Sequence, residues 1–117
     1  MDLKKRYSRK DNRSLIEILE TPDGYTKQAL QIAESELLSR ELDPDYLYQT
    51  AREIQQHHII QMLEQFDPLN GQLNLPKSHF LNRSELKEML ISEFETLIKE
   101  KEGFRFDVMH YAIGAIL

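Results

Sequence analysis

Apolar side chains along this chain recur every three or four residues, which is the spacing of one face of an α-helix. Such stripes run through residues 14–42, 43–66 and 82–103, with short breaks that contain proline or glycine. Only four glycines and four prolines occur, and so few breakers favour helices over a sheet of many strands. We therefore expect an all-α fold, a small bundle of four to five helices that begins with a helical hairpin.

The predicted hairpin starts with a capped helix. Ser14 and Glu17 have the spacing of a capping box, so the first helix should begin at Ser14. Pro22 should end it, because the residue before a proline is pushed out of helical geometry. A second helix with an alanine-rich apolar face should run from about Thr26 to Arg40.

A long third helix should follow the hairpin. Asp43 is a favourable N-cap, Pro44 is a favourable first helical residue, and the apolar stripe reaches to about residue 66. Apolar residues that lie outside this stripe or at its edge are Tyr46, Ile60 and Leu63. A helix with apolar residues on more than one side is central in its fold or faces a partner.

The remaining chain contains a break, one helix and an apolar end. Residues 67–82 include an Asn-Gly turn signal and are interpreted as an ordered loop over the core, a flexible connector or a functional loop. A fourth helix should begin at Asn82 or Ser84 and stop at Gly103. The apolar end, FRFDVMHYAIGAIL, fits a terminal helix in the core, a dimer or peripheral membrane contact, or the start of a spanning helix.

The composition is that of a soluble globular protein. The chain has 117 residues, of which 40% are hydrophobic and 30% are charged, and this predicts a single helical domain over residues 14–117. The absence of cysteine excludes disulfides, thiolate metal sites and cysteine nucleophiles. The N-terminal sequence lacks the apolar core of a signal peptide, so we expect a cytoplasmic protein.

Charge is distributed unevenly along the chain. Residues 1–13 contain six basic and two acidic side chains and so have a net charge of +4. Because the whole chain has a net charge of −5, the remaining residues have a net charge of −9. We interpret residues 1–13 as a basic flexible arm, either solvated or in electrostatic contact with anionic lipid, nucleic acid or the acidic body of the chain. The acidic body argues against nucleic acid as the principal partner, since phosphate binding needs a basic face on the fold itself.

Few residues suggest catalytic or metal chemistry. His57 and His58 are adjacent, so on a regular helix they point about 100° apart and do not bind one metal ion together. His58 falls within the apolar stripe and is expected to be a packed or hydrogen-bonded core residue. We therefore expect no catalytic residue, cofactor or metal ligand, and the alternative is a metal- or small-molecule-binding enzyme around His58.

One segment resembles a known module. Leu15-Ile16-Glu17-Ile18-Leu19, Pro22, Tyr25, Ala29, Ala33, Glu36-Leu37, Arg40 and Leu42 follow the pattern of a helical hairpin that recurs in uncharacterised bacterial proteins. The resemblance covers residues 14–42 and implies a hairpin with no catalytic residue. This chain has Glu41 where such modules often have a glycine.

Function is expected at surplus apolar surface. The leading hypothesis is a non-enzymatic protein-interaction module that binds another protein or itself as a homodimer. Its predicted interaction surface comprises Tyr46, Ile60, Leu63, Ile113, Ile116 and Leu117. The alternative is a membrane-peripheral domain that uses the basic N-terminal arm and the apolar C-terminus on an anionic membrane surface.

Overall fold

The computed structural model describes residues 2–66 and 74–100, with side chains described as far as Thr96. Five helices and no strands are found in this part of the chain. They are α1 (Leu3–Ser8), α2 (Asn12–Glu20), α3 (Lys27–Ser39), α4 (Pro44–Glu64) and α5 (Arg83–Glu100). The all-α prediction is confirmed, and its N-terminal helical hairpin consists of α2 and α3.

The described residues form two compact units. The first unit contains the residues up to Ile54 together with Lys77–Leu81, and the second unit contains the other described residues. Helix α4 therefore supplies its first half to one unit and its second half to the other. The predicted single domain over residues 14–117 includes stretches outside the described residues, and it stays a prediction.

The basic segment that we interpreted as a flexible arm contains helix α1. Asp2 caps this helix by accepting a hydrogen bond from the backbone N–H of Lys4 at 3.3 Å. Tyr7 is buried, α1 packs against α3, and Lys10 Nζ lies 5.9 Å from the centre of the Tyr7 ring. A single aromatic side chain thus anchors the segment. One apolar residue surrounded by charged residues forms no periodic pattern, so the sequence did not predict this helix.

Helix α2 begins earlier than the capping box predicted. Its N-cap is Asp11, whose carboxylate accepts a hydrogen bond from the backbone N–H of Ser14 at 2.7 Å. Hydrogen bonds from the hydroxyl and the backbone N–H of Ser14 lower the pKa of Asp11 below its usual value. Glu17 forms an ion pair with Arg13 at 3.7 Å instead of reaching back to Ser14. Asp11 occupies the N-cap position, and a carboxylate is at least as favourable there as a hydroxyl.

The turn between α2 and α3 contains Pro22 and Gly24. The backbone N–H of Tyr25 donates to the carbonyl of Pro22 at 3.2 Å, and Gly24 has a φ of 95°, which favours glycine. Thr26 then caps α3 by accepting from the N–H of Ala29 at 3.1 Å. The predicted second helix, from about Thr26 to Arg40, agrees with the structure, in which these two residues are its caps.

The core of the first unit consists of small and aliphatic side chains. Its buried apolar residues are Tyr7, Leu15, Ile16, Ile18, Leu19, Ala29, Ala33, Leu37, Ala51, Ile54 and Leu81. The alanines of α3 allow α2 to approach closely, since a methyl group keeps the two backbones near each other.

The second unit is built around the second half of α4 and α5. Its buried apolar residues are Ile59, Leu63, Leu86, Met89, Leu90 and Phe94. The ring of Phe66 packs edge-on against the ring of Phe94, with the centres 6.2 Å apart. Asn82 caps α5 by accepting from the N–H of Glu85 at 2.8 Å, which selects Asn82 over Ser84. The predicted Asn-Gly turn, the helix stop at Gly103 and the apolar C-terminus lie outside the described residues.

Candidate docking groove

Only some residues of the predicted interaction surface are exposed to solvent. Tyr46 is 41% exposed and Ile60 is half-buried, whereas Leu63 is 4% exposed and packs inside the second unit. Tyr46 belongs to the first unit and Ile60 to the second. The other predicted residues, Ile113, Ile116 and Leu117, lie outside the described residues.

His58 is exposed, so the expectation of a core histidine is wrong. The buried face of α4 changes along its length, from Ala51 and Ile54 to Ile59 and Leu63, and at 100° per residue these two pairs are centred about 130° apart. One straight stripe, as read from the sequence, therefore places His58 inside and Leu63 at the edge. In residues 2–66 and 74–100 no group of three or more His, Asp or Glu residues is arranged to hold a metal ion.

The first unit contains a half-open concavity of about 160 Å³ beside α3, which we name the α3 groove. Its lining residues come from α2, α3, the start of α4 and the extended segment before α5. They are Leu19, Glu34, Leu37, Leu38, Glu41, Leu42, Leu47, His79 and Phe80. Sequence reasoning did not find this groove, because its walls come together only through the tertiary contacts of residues 79–80.

The floor of the α3 groove is apolar, and its rim carries an exposed leucine. Leu19 and Leu37 are buried at the bottom, whereas Leu38 at the rim is 72% exposed. Water around such a side chain is released when a partner covers it, which stabilises a complex by about 2 kcal/mol for a full leucine. The exposed Leu38 beside a concavity therefore has the character of a docking contact.

One wall of the groove is fixed by the buried carboxylate of Glu20, the last residue of α2. Glu20 is 1% exposed and accepts hydrogen bonds from the Ser78 hydroxyl and from the backbone N–H groups of His79 at 3.2 Å and Phe80 at 2.9 Å. The Ser78 Oγ accepts in turn from the N–H of Leu81 at 3.0 Å. This network holds residues 78–81 in the first unit, where His79 and Phe80 line the groove.

Glu20 was not singled out from the sequence, although one signal was present. It lies four residues after Ile16, so it falls on the apolar stripe of α2. A carboxylate at such a position needs hydrogen-bond donors, because an unpaired buried charge is strongly unfavourable. The donors lie in the distant segment 78–80, and nothing in the local sequence identifies them.

The far end of the groove depends on Arg40, the C-cap of α3. Its guanidinium donates to the side chains of Glu36 at 3.0 Å and Asn12 at 2.7 Å, and to the carbonyls of Ser8 at 3.2 Å and Lys10 at 2.8 Å. These bonds tie the end of α3 to α1 and to the start of α2.

The chain reverses immediately after Arg40. Glu41 has a φ of 50°, a left-handed conformation in which a glycine is common after a helix. This reversal brings Leu42 and Leu47 to the groove. Glycine is the residue that such a backbone favours.

The rim of the α3 groove is acidic. Besides His79, the charged or titratable residues that line it are Glu34 and Glu41, both exposed. Neither carboxylate has an ion-pair partner within the described part of the chain. The groove thus combines an apolar floor with two carboxylates that remain open to an outside cation.

Two further concavities lie in the first unit. One of about 240 Å³ adjoins the α3 groove and shares Leu19, Glu34 and His79 with it. The other, of about 420 Å³, is lined mainly by Gln28, Gln31, Ser35 and similar polar side chains of α3, together with Lys4. Most of the side chains that line the second concavity are polar, and Ile32 is its apolar member.

No protein-family model matches this sequence, and no curated protein or solved structure is significantly similar to it. The resemblance of residues 14–42 to a helical-hairpin module therefore stays a prediction. Among the described residues, none of the helices combines the length and the apolar character that crossing a membrane requires.

Proposed function

We propose that this chain is a non-enzymatic protein-interaction module of the cytoplasm and that its binding surface is the α3 groove. The observation that supports this proposal is Leu38, which is 72% exposed at the rim of an apolar concavity. Most strongly exposed leucines stand alone on a surface, whereas this one continues an apolar floor. Interfaces bury such central apolar contacts inside a polar rim, and Glu34, Glu41 and His79 supply that rim here.

Comparative capture tests the proposal. Wild-type protein, Leu38→Asp and Ser35→Asp are immobilised, and proteins bound from an extract are quantified; Ser35 is an exposed α3 residue that does not line the groove. A partner should bind the wild type and Ser35→Asp but be lost with Leu38→Asp. Its Kd, measured with purified protein, should rise at least tenfold for Leu38→Asp alone. Equal binding by all three proteins would refute the groove as the interaction site.

A homodimer is a second form of the interaction hypothesis, and it would use a surface other than the α3 groove. Tyr46, a predicted contact residue that is 41% exposed in the first unit, would then face a second copy. Sedimentation velocity of the whole chain over a hundredfold concentration range distinguishes this form. A concentration-dependent increase in mass that Tyr46→Asp abolishes supports it, and a monomer at all concentrations excludes it.

The second candidate function is binding to an anionic membrane surface through α1. The basic side chains of Lys4, Lys5, Arg6 and Arg9 are exposed and have no ion-pair partner in the described part of the chain. Because α1 packs on α3, these cations are held on an ordered surface, which lowers the entropic cost of binding lipid headgroups.

Co-sedimentation with vesicles tests the membrane candidate. Wild-type protein should bind vesicles with 30% phosphatidylserine and not neutral vesicles, and binding should fall at high salt. Lys4→Gln with Lys5→Gln should weaken binding, whereas Lys27→Gln with Lys87→Gln, which removes the same charge elsewhere, should not. Absence of salt-sensitive binding would eliminate this candidate.

A further inference from the structure

The two carboxylates on the rim of the α3 groove have a defined spacing. Glu34 lies on α3, and Glu41 follows its C-cap Arg40, seven residues after Glu34; both line the α3 groove. Leu37 and Leu38 lie between them and contribute to the same groove. The order along this side of α3 is therefore carboxylate, two leucines, carboxylate.

A groove beside a helix accepts a second helix most readily. Side chains three and four residues apart, such as Glu34, Leu37 and Leu38, form a ridge on α3, and such ridges fit into the grooves of a neighbouring helix. An amphipathic helix that lies in an apolar groove presents its own apolar residues at the same intervals. The complement to this ridge is a helix with one apolar side chain between two cations.

The volume of the groove limits the apolar anchor. A cavity of about 150 Å³ is large enough for a benzene-sized group, and the α3 groove measures about 160 Å³. The groove therefore has room for one leucine- or phenylalanine-sized side chain of a partner. A second large side chain would have to pack against the exposed Leu38 instead.

We propose that the α3 groove binds an amphipathic helix of another protein, with one large apolar side chain in the concavity and a lysine or arginine opposite each of Glu34 and Glu41. The partner helix then carries two basic residues seven positions apart, with the apolar residue three or four positions after the first. This inference rests on the proposed interaction function and names the chemistry of its partner.

The described residues disfavour two other occupants. A second copy of this chain would offer α1 as its basic helix, but the aromatic anchor of α1, Tyr7, is buried in its own unit. An anionic membrane would meet Glu34 and Glu41 with a charge of the same sign. A cationic helix from another protein satisfies both the apolar floor and the acidic rim.

Three synthetic helical peptides of 15 residues test the inference. The first, an alanine–glutamine helix, carries two lysines seven positions apart and a leucine three positions after the first lysine. In the second the lysines are replaced by glutamates, and in the third the leucine is replaced by alanine. Binding to the full chain is measured by fluorescence anisotropy at 50 and 500 mM salt and mapped by NMR shifts.

The first peptide should bind, with its largest shifts at Leu38 and Phe80, and its Kd should rise severalfold at 500 mM salt. The glutamate and alanine peptides should each bind at least tenfold more weakly. Leu38→Asp and the pair Glu34→Lys/Glu41→Lys should reduce the affinity of the first peptide at least tenfold. Glu88→Lys/Glu95→Lys, an equal change of charge at two exposed residues of α5, should change it less than twofold.

The outcomes separate the inference from the proposed function. Equal binding of the lysine and glutamate peptides, with sensitivity to Leu38→Asp, overturns the cationic partner and leaves the groove as an interaction site. Binding that weakens equally with Glu88→Lys/Glu95→Lys overturns it as well, since attraction by net charge then explains the affinity. No binding by any peptide overturns the inference, and the captured partner lost with Leu38→Asp then shows whether the proposed function survives. Circular dichroism of each variant confirms that its helices are intact.

Discussion

Different kinds of interaction stabilise the inside of each of the two units of this chain. In the first unit, Arg40 and Glu20 form hydrogen bonds to groups that are 28 to 60 residues away in the sequence. In the second unit, the buried side chains are mainly apolar, Phe94 among them, although Gln55 is also buried and Gln56 pairs with Glu93 at 2.9 Å. Directional polar contacts thus build the groove, while shape and apolar area build the second unit.

This difference predicts two patterns of response to substitution. Apolar packing loses stability in proportion to the volume removed, because each missing group leaves a cavity. Where a buried polar network is present, replacing a single donor or acceptor atom destabilises the protein, because its hydrogen-bond partners are left unsatisfied. Substitutions of Phe94, Glu20 and Arg40 test this contrast, and two smaller effects, at Glu41 and Asp11, follow in order of decreasing size.

Phe94→Ala should give the largest loss of stability. Phe94 is 1% exposed and contacts Phe66, and truncation of such a ring lowers the free energy of unfolding by about 4 kcal/mol. Phe94→Leu should cost only about 1.5 kcal/mol, because it keeps most of the volume. Urea denaturation measures both. Equal losses for the two variants would contradict a response that scales with volume.

Glu20→Ala should lower the free energy of unfolding by about 3 kcal/mol, because three partly buried donors lose their acceptor. Glu20→Gln keeps the volume but removes the charge and should still cost about 1.5 kcal/mol. The amides of His79 and Phe80 should exchange faster with solvent in both variants, as measured by NMR. Glu17→Ala, on the exposed side of α2, is the control and should cost no more than about 0.5 kcal/mol.

Arg40→Lys should lower the free energy of unfolding by about 2 kcal/mol, because an ammonium group cannot reach the four acceptors of the guanidinium in their fixed geometry. Arg13→Lys is the matched control. Its ion pairs with Glu17 and Glu53 are half-exposed, so the change should stay within about 0.5 kcal/mol. Similar values for the two substitutions would show that the Arg40 network is not structurally important.

Glu41→Gly should raise the free energy of unfolding by about 0.5 kcal/mol. At a φ of 50° a glycine avoids the steric cost of a Cβ, and this gain exceeds the entropy that glycine adds to the unfolded chain. Glu41→Ala removes the same carboxylate and keeps the Cβ, so it should have little effect. Thermal unfolding compares the two, and an alanine variant as stable as the glycine variant would contradict the argument.

Asp11 should give the smallest effect, visible only in acid. Its pKa is lowered in the folded protein, so its stabilising contribution is present above its unfolded pKa, near 4, and is lost as the pH falls through the lower folded value. Asp11→Asn keeps a capping side chain that does not titrate. The urea midpoint of this variant should decrease less than that of the wild type between pH 5 and 3. Parallel decreases would show that the Asp11 cap does not contribute.

Local sequence was sufficient to determine the helix class and several helix ends. Thr26, Asp43 and Asn82 mark the starts of their helices because caps are hydrogen bonds between residues two or three positions apart, which a short stretch of sequence contains. Pro22 and Gly24 also mark the turn before α3, because their backbone preferences are local properties of single residues. The apolar stripe of residues 82–103 likewise predicted α5, in which the structure buries Leu86, Leu90 and Phe94.

Only the tertiary structure decided where the chain has a candidate site. The burial of Glu20 depends on donors at residues 78–80, and the exposure of Leu38 depends on which side of α3 meets α2. The exposure of His58 and the burial of Leu63 depend on a change of buried face along α4. These outcomes follow from contacts between distant segments, whose pairing is set by the free energy of the whole fold and leaves no period or motif in the local sequence.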